Sequence, residues 1–352
     1  MPTLAQVTVG TTGADYTDLD TALATEARDL VTSDELIEFI ILDKLTGQNP
    51  VDIDGAWVCD ATHYVTIRAA DGSGGKDGTT DARIKADLNP GATKACVIGN
   101  AAYSDFFDIT GVADYCVVKD IYIENSHAWG YRVIDLAYDA DNCTLKNLVL
   151  KAGANAYNCI QLGDISSKAG FCLAQCDGGE AFDGLTSGHI GTYVNCVAVN
   201  SAVGFKCALG GTFINCATYN CTTDYHTPAS ANAASTNNAG SSANAADIPG
   251  ANSITSLTSS AFEDVSTDDY RTKSGGALDN AGADASAYFT TDAFENTIVN
   301  WPVGLNEPTG GGTSYTLTAD SATFNTTAQD AGLNAGRAVI ADSATFNTTA
   351  QD

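Results

Sequence analysis

The chain has 352 residues, of which 43 are acidic and only 16 are lysine or arginine, giving a formal charge of −27. A surface this acidic repels phosphate backbones and anionic lipid, which excludes nucleic-acid binding and adsorption to anionic membranes as primary roles. No stretch approaches the ~18 to 20 apolar residues of a membrane span, and Met1-Pro2-Thr3-Leu4-Ala5-Gln6 lacks the basic start and apolar core of a secretory signal, so neither is expected.

The first 56 residues read as an N-terminal cap. Val7-Thr8-Val9 is a short strand, Asp15-Tyr16-Thr17-Asp18-Leu19 leads into an alanine-rich amphipathic helix running to about Leu30, and Ile37 to Leu42 is dense in β-branched residues. His63 to Arg68 opens a series of strand phrases, and Phe106-Phe107-Asp108-Ile109 resumes it after a glycine-rich excursion at Asp71 to Thr80. Then one phrase recurs: Cys116-Val117-Val118-Lys119-Asp120, Asn142-Cys143-Thr144-Leu145-Lys146-Asn147, Asn195-Cys196-Val197-Ala198-Val199-Asn200 and Asn215-Cys216-Ala217-Thr218-Tyr219-Asn220. Cys116 to Cys143 and Asp120 to Asn147 are both 27 residues apart, and Asn195, Cys196 and Asn200 each recur 20 residues on.

Equal offsets for several residues at once put like above like, one rung about 4.8 Å from the next. A unit of that length built from strands and turns cannot bury its apolar face alone and must stack on its neighbours. Asparagine suits the corners, because it tolerates left-handed backbone angles and its side-chain amides can bond one another in a stack. The fold predicted is therefore all-β, a single-stranded parallel β-helix over residues 57–308. From about Thr227 alanine, serine and asparagine dominate, which reads as an irregular loop or incomplete rungs. Phe262-Glu263-Asp264 to Asp269-Tyr270-Arg271 and Leu278-Asp279-Asn280-Ala281-Gly282 follow as a segment that closes the far end.

Residues 309–352 form a separate small module. Ala319 to Asp330 recurs letter for letter as Ala341 to Asp352, a period of 22. Two such units have little core of their own, so Leu317, Phe324, Val339 and Phe346 are the expected interface residues. The eleven cysteines are an odd number and lie mostly inside strand phrases, where a thiol acts as a small buried hydrophobe. The close pairs Cys172/Cys176 and Cys216/Cys221 bring no histidine at metal-site spacing, so no metal site is expected and the thiols read as reduced, in a chain folded in a reducing cytoplasm.

With these motifs assembled, the chain resembles the right-handed parallel β-helix proteins of tailed bacteriophages and prophages, which share the pectate-lyase-like fold. The Gly13 to Leu19 entry resembles that family's cap, the Asn-Cys corners its rungs and the 262–282 segment its closing motif, with Gly275-Gly276 where serine-proline is more usual. The tandem tail is similar to hairpin repeats of phage structural proteins. The resemblance implies a right-handed coil and a non-enzymatic virion protein, exposed on the particle as a capsid decoration, fibre or tail appendage. Its expected partners are other virion proteins, a host surface glycan or a second copy. Two other readings stand beside it: a tailspike that binds or depolymerises glycans, and a cell-surface adhesin.

For catalysis the best local cluster is Asp177, Glu180 and Asp183 with His189, since paired carboxylates ~5 to 9 Å apart cleave glycosides. Polygalacturonases resemble it only in Gly188-His189, and Arg83-Ile84-Lys85 lies upstream of that histidine, so the expectation is a turn between rungs and no catalytic residue. His63, His127 and His226 read as surface or corner residues. Trp129, Tyr131 and Tyr138 are the strongest aromatic patch: packing against a long excursion is the first reading, and a face on which a sugar would stack is the second. No cofactor is expected; if the acidic surface took up a cation, calcium would suit its oxygen ligands.

Overall fold

The structure, a computed structural model, describes residues 2–79, 81–83, 88, 94–100, 104–110, 114–127, 131–136, 140–163, 166–183, 191–206, 210–306 and 308, together with 325–326 and 347–348. Residues 1–308 and 309–352 are separate compact units.

Three sheets make the wall of the first unit, and every pairing between successive rungs is parallel. The first sheet stacks Thr3–Val9, Glu35–Ile41, Val65–Ala69, Val117–Lys119, Thr144–Lys146, Lys168–Gly170, Thr192–Val194 and Thr212–Ile214. The second runs from Lys44–Gln48 through Cys96–Gly99, Tyr122–Asn125, Val149–Ala152, Leu173–Cys176 and Val197–Val199 to Ala217–Tyr219. The third runs from Val51–Ile53 through Phe107–Ile109, Arg132–Leu136, Asn158–Leu162, Glu180–Asp183 and Val203–Lys206 to Thr223–His226. The chain visits the three sheets in that order on each turn, with the right-handed crossover that parallel neighbours take. This is the predicted parallel β-helix.

The predicted registers hold. Thr144 pairs with Val117 at the 27-residue offset and Val197 with Ala217 at the 20-residue offset. Asp120, Asn147, Asn195, Asn200, Asn215 and Asn220 all have φ between 49° and 57°, the left-handed corner that asparagine accepts. Their side chains bond up the stack, Asn147 to Asp120 at 2.8 Å, Asn215 to Asn195 at 3.2 Å and Asn220 to Asn200 at 2.7 Å. Inside the coil Phe182, Phe205 and Tyr225 stack face to face at 4.7 and 5.2 Å. The ten described cysteines are all free. Cys172, Cys196 and Cys216 form one column, each thiol donating to the carbonyl two residues back at 3.4 to 3.5 Å, and burial pushes Cys143 up to about 12.

Two parts of the predicted organisation shift. The capping helix is Leu19–Glu26, N-capped by Asp18, which accepts from the Thr21 amide at 2.8 Å, and it buries Leu19, Ala22 and Leu23 against the open end. The strands on either side of it already belong to the three sheets, so residues 1–56 supply the first rung as well as the cap. At the other end, the stretch after Thr227 adds incomplete rungs, with Thr236 and Ala239 bridging in parallel to Ile214 and Ala217, and Ile248 joins the interior core.

The antiparallel pair Phe262–Asp264 and Asp269–Thr272 follows. The 278–306 segment does not seal the end of the coil but straps its outer wall. The reason is an apolar exterior there: Phe171, Val194 and Val197 need cover, and Leu278, Phe289, Trp301 and Val303 supply it. Phe289 seats over Gly170, where a Cβ would come within 2.3 Å of the ring.

In the C-terminal unit, Asn325–Thr326 and Asn347–Thr348 pair in parallel at the 22-residue offset, Asn325 with Asn347. The resemblance implied hairpins; the described pairing runs between copies, because identical residues at a fixed offset stack like rungs. Leu317, Phe324, Val339 and Phe346 lie outside the described residues.

Candidate functional site

The third sheet carries polar residues on its outer face. In its strands Ile53, Ile109, Leu136, Leu162, Phe182, Phe205 and Tyr225 lie in the core, and the polar residue adjoining each of them points out. Register then assembles an outward column: Asp52, Asp108, Asp135, Gln161, Asp183, Lys206 and His226. A second column begins with Asp105 and continues through Arg132, Asn158 and Glu180.

The columns are cross-linked. Arg132 Nη1 donates to Asp135 at 2.8 Å and to Asp105 at 3.1 Å. Lys206 Nζ lies 3.2 Å from Asp183 and 3.6 Å from Glu180, and the Asn158 amide reaches Asp183 at 3.4 Å. Exposure falls to 9% at Asp135, 4% at Asp183 and 2% at Asn158. Even so, Asp105 Oδ1, Asp135 Oδ1, Asp183 Oδ1, Asn158 Oδ1 and Arg132 Nε have no hydrogen-bond partner among the described residues. Buried polar atoms are nearly always paired, so this set is incomplete as it stands.

Burial pushes Asp135 up to about 6, against the pull of Arg132 and with the repulsion of Asp105 and Asp108 adding to it. Burial likewise raises Asp183 and Asp105. A buried carboxyl group pushed up to about 6 can give or take a proton near neutral pH.

Beside the second column stand two exposed tyrosines. Tyr131 and Tyr157 immediately precede Arg132 and Asn158, so the same register stacks their rings at 5.1 Å and 27°. They are 37% and 60% exposed. The rung spacing is fixed by the Tyr157 amide donating to the Tyr131 carbonyl at 2.8 Å.

Of the residues singled out in the sequence, Glu180 and Asp183 lie in this site, but on a strand and not in a turn: Glu180–Asp183 is one rung of the third sheet. The turn reading, drawn from Asp177 to Gly184, fails because the turn ends at Gly178-Gly179 and the strand begins at Glu180. Asp177 stays in that turn, exposed and bonded by Gln175 at 2.7 Å. Tyr131 is present, whereas His189, Trp129 and Tyr138 lie outside the described residues. His63 is held by Asp60 and Asp34 at 2.9 and 3.1 Å, away from the columns. Sequence reasoning missed Asp105, Arg132, Asp135, Asn158 and Tyr157, because their only signal is register across rungs. No group of three or more His, Cys, Asp or Glu side chains placed to hold a metal ion gathers among the described residues.

Among solved structures, the fold is similar to that of the pectin methylesterase from Aspergillus niger in deglycosylated form, at 11% identity and a TM-score of 0.44, covering 74% of this chain and 89% of that one. It is also similar to that of pectate lyase Pel9A, at 10% identity and a TM-score of 0.48, covering 88% of this chain and 97% of that one. No protein-family model and no curated protein matches the chain.

Proposed function

We propose that this chain is a polysaccharide-binding protein that uses the β-helix as a stiff platform and the outer face of the third sheet as its binding surface. The observation that carries the reading is the exposed, stacked Tyr131 and Tyr157 pair standing directly beside buried polar groups that lack partners. Flat apolar rings next to convergent hydrogen-bonding groups are what a pyranose requires, since one face of the sugar is C–H and its rim is hydroxyl. The particle-surface setting implied by the sequence resemblance would give this face access to a host glycan; that setting rests on the resemblance alone.

The test is affinity electrophoresis in gels containing neutral, amino and acidic polysaccharides in turn, comparing the native chain with a Tyr131→Ala/Tyr157→Ala variant. Both side chains are exposed, so the variant keeps its fold. At least one polysaccharide should retard the native chain, with binding weakened about tenfold or more in the variant, equivalent to ~1.4 kcal/mol. No retardation by any of them, or equal retardation of both proteins, overturns the proposal.

A second reading, glycoside hydrolysis, is favoured by one observation: Asp135 is pushed up to about 6 while sharing Arg132 with Asp105. A protonated carboxyl beside an ionised one is the pairing that general acid catalysis of glycoside cleavage needs. Release of reducing ends by the native chain, lost in Asp135→Asn, would support it; a blank-level rate in both leaves binding as the function.

A further inference from the structure

The first sheet ends in an open edge. Thr3–Val9 is its outermost strand; the Thr3 amide donates to the Asp34 carbonyl at 2.8 Å, and the Val9 carbonyl accepts from Leu42 at 2.9 Å. In a parallel ladder each residue turns both backbone groups to one side and its neighbour turns both to the other. Thr3, Ala5, Val7 and Val9 therefore bond the Glu35–Ile41 side, while Leu4, Gln6 and Thr8 face the edge. Thr8 is provided for, its amide donating to Asp15 at 2.9 Å and its carbonyl accepting from Tyr16 at 3.0 Å. Leu4 and Gln6 have no backbone partner among the described residues.

Beside them runs a cleft of about 450 Å³, lined by Ala5, Gln6, Val7 and Tyr16. Ala5 and Val7 pack on the interior core, whereas Leu4 is 53% exposed and Gln6 turns outward to Glu38 at 3.0 Å. Tyr16 bridges to Val9 in parallel, so the chain itself begins a further strand at one end of this edge and leaves the rest uncovered. A strand added there covers Ala5 and Val7 with alternate side chains, as each rung covers the last, and gives its backbone to Leu4 and Gln6.

Charge decides what such a strand carries. Residues 1–56, which build this end, hold eleven carboxylates against two basic side chains, Arg28 and Lys44. Inside the cleft Asp15 is paired with Lys76 at 2.6 Å and Glu26 with Arg28 at 3.0 Å, so the unpaired excess surrounds it. An acidic strand adds to that repulsion, and a basic one relieves it.

We propose that the Thr3–Val9 edge takes up an extended segment of another polypeptide as an added parallel strand, apolar where it covers Ala5 and Val7 and basic on its outward side. This surface lies on the first sheet, apart from the tyrosines of the third, and does not depend on the polysaccharide-binding reading.

Amide-resolved NMR during titration with acetyl-Val-Lys-Val-Lys-Val-amide tests it, beside the glutamate counterpart and a lysine peptide N-methylated at its central valine. In register that valine stands opposite Ala5, donating to the Leu4 carbonyl and accepting from the Gln6 amide, so methylation removes a bond and leaves the charge unchanged. The lysine peptide should shift the Leu4 and Gln6 amides, and the glutamate and methylated peptides should each bind at least tenfold more weakly. Gln6→Pro removes an N–H that faces the edge, sparing the ladder to Glu35–Ile41 and costing only the side-chain bond to Glu38. It should melt within a few degrees of the native chain and weaken the lysine peptide about tenfold; Leu4→Pro removes the other edge N–H and should do the same. Equal binding of the methylated peptide, or undiminished binding by the proline variants, means attraction to charge alone and overturns the proposal. Tighter binding of the glutamate peptide overturns it as well, as does the absence of shifts at Leu4 and Gln6 in millimolar lysine peptide.

Discussion

Asn195 offers the sharpest test of what holds the closing strap on the coil. Its side chain is fully buried at a left-handed corner with φ 53°. Its amide nitrogen donates to the carbonyls of Pro302 at 2.8 Å and Gly304 at 2.7 Å, and its oxygen accepts from Asn215 at 3.2 Å. Asn195→Ala leaves two strap carbonyls facing a dry hole, each costing ~1 to 3 kcal/mol, and places alanine in a backbone conformation that costs it about 1 kcal/mol or more. The expected loss is about 3 to 5 kcal/mol, unless the strap lifts to hydrate its carbonyls and gives up the burial of Trp301 and Val303 instead. Urea denaturation measures the loss, and hydrogen exchange at residues 283–306 identifies which route is taken. Asn195→Gly should recover about 1 kcal/mol, since it restores the corner but not the amide. A loss below ~1 kcal/mol with unchanged exchange in the strap would refute the reasoning, and apolar contact alone would then hold the segment.

Three further outcomes follow from the same structure. Because folding raises Asp135 from 3.8 to about 6, the folded state binds the proton more tightly than the unfolded one. The stability this group contributes is therefore fully present below about pH 4 and is lost as pH rises through 6, on the order of 2 to 3 kcal/mol. Asp135→Asn should flatten urea midpoints across that window, and an unchanged slope would contradict the burial argument. The described thiols are free and mostly buried, so a thiol reagent should label few sites in native protein and all eleven after unfolding, with an intact mass showing no disulfide. Truncation after Pro308 should leave the far-ultraviolet circular dichroism of the β-helix unchanged, because the two units are separate, and should abolish any self-association measured by sedimentation; association that survives truncation moves the interface to the coil.

The coil was legible because its corners repeat. Asparagine and cysteine recur at equal offsets in the first and second sheets, and Asp120 bonding Asn147 or Asn195 bonding Asn215 is the direct product of that spacing. The third sheet hides its register. Its strands follow an out-in-in-out order, as in Glu180-Ala181-Phe182-Asp183, where Ala181 and Phe182 both join the core, so strict alternation does not find them. Its offsets also vary, with Arg132 over Asn158 at 26 residues and Asn158 over Glu180 at 22.

The site falls in this sheet, and that explains why a local search found only half of it. Asp177, Glu180 and Asp183 are close in sequence, but Lys206, which bridges the last two, comes from the next rung, and the ring that partners Tyr131 comes from the next rung as well. In a solenoid, chemistry is composed across turns of the chain, so neighbours in a site are separated by one repeat. Once Arg132 is set over Asn158, Tyr131 necessarily lies over Tyr157, and the same step places Asp135 over Gln161, two rungs from Asp183. Register, more than proximity in sequence, is the property from which a site on such a fold can be read.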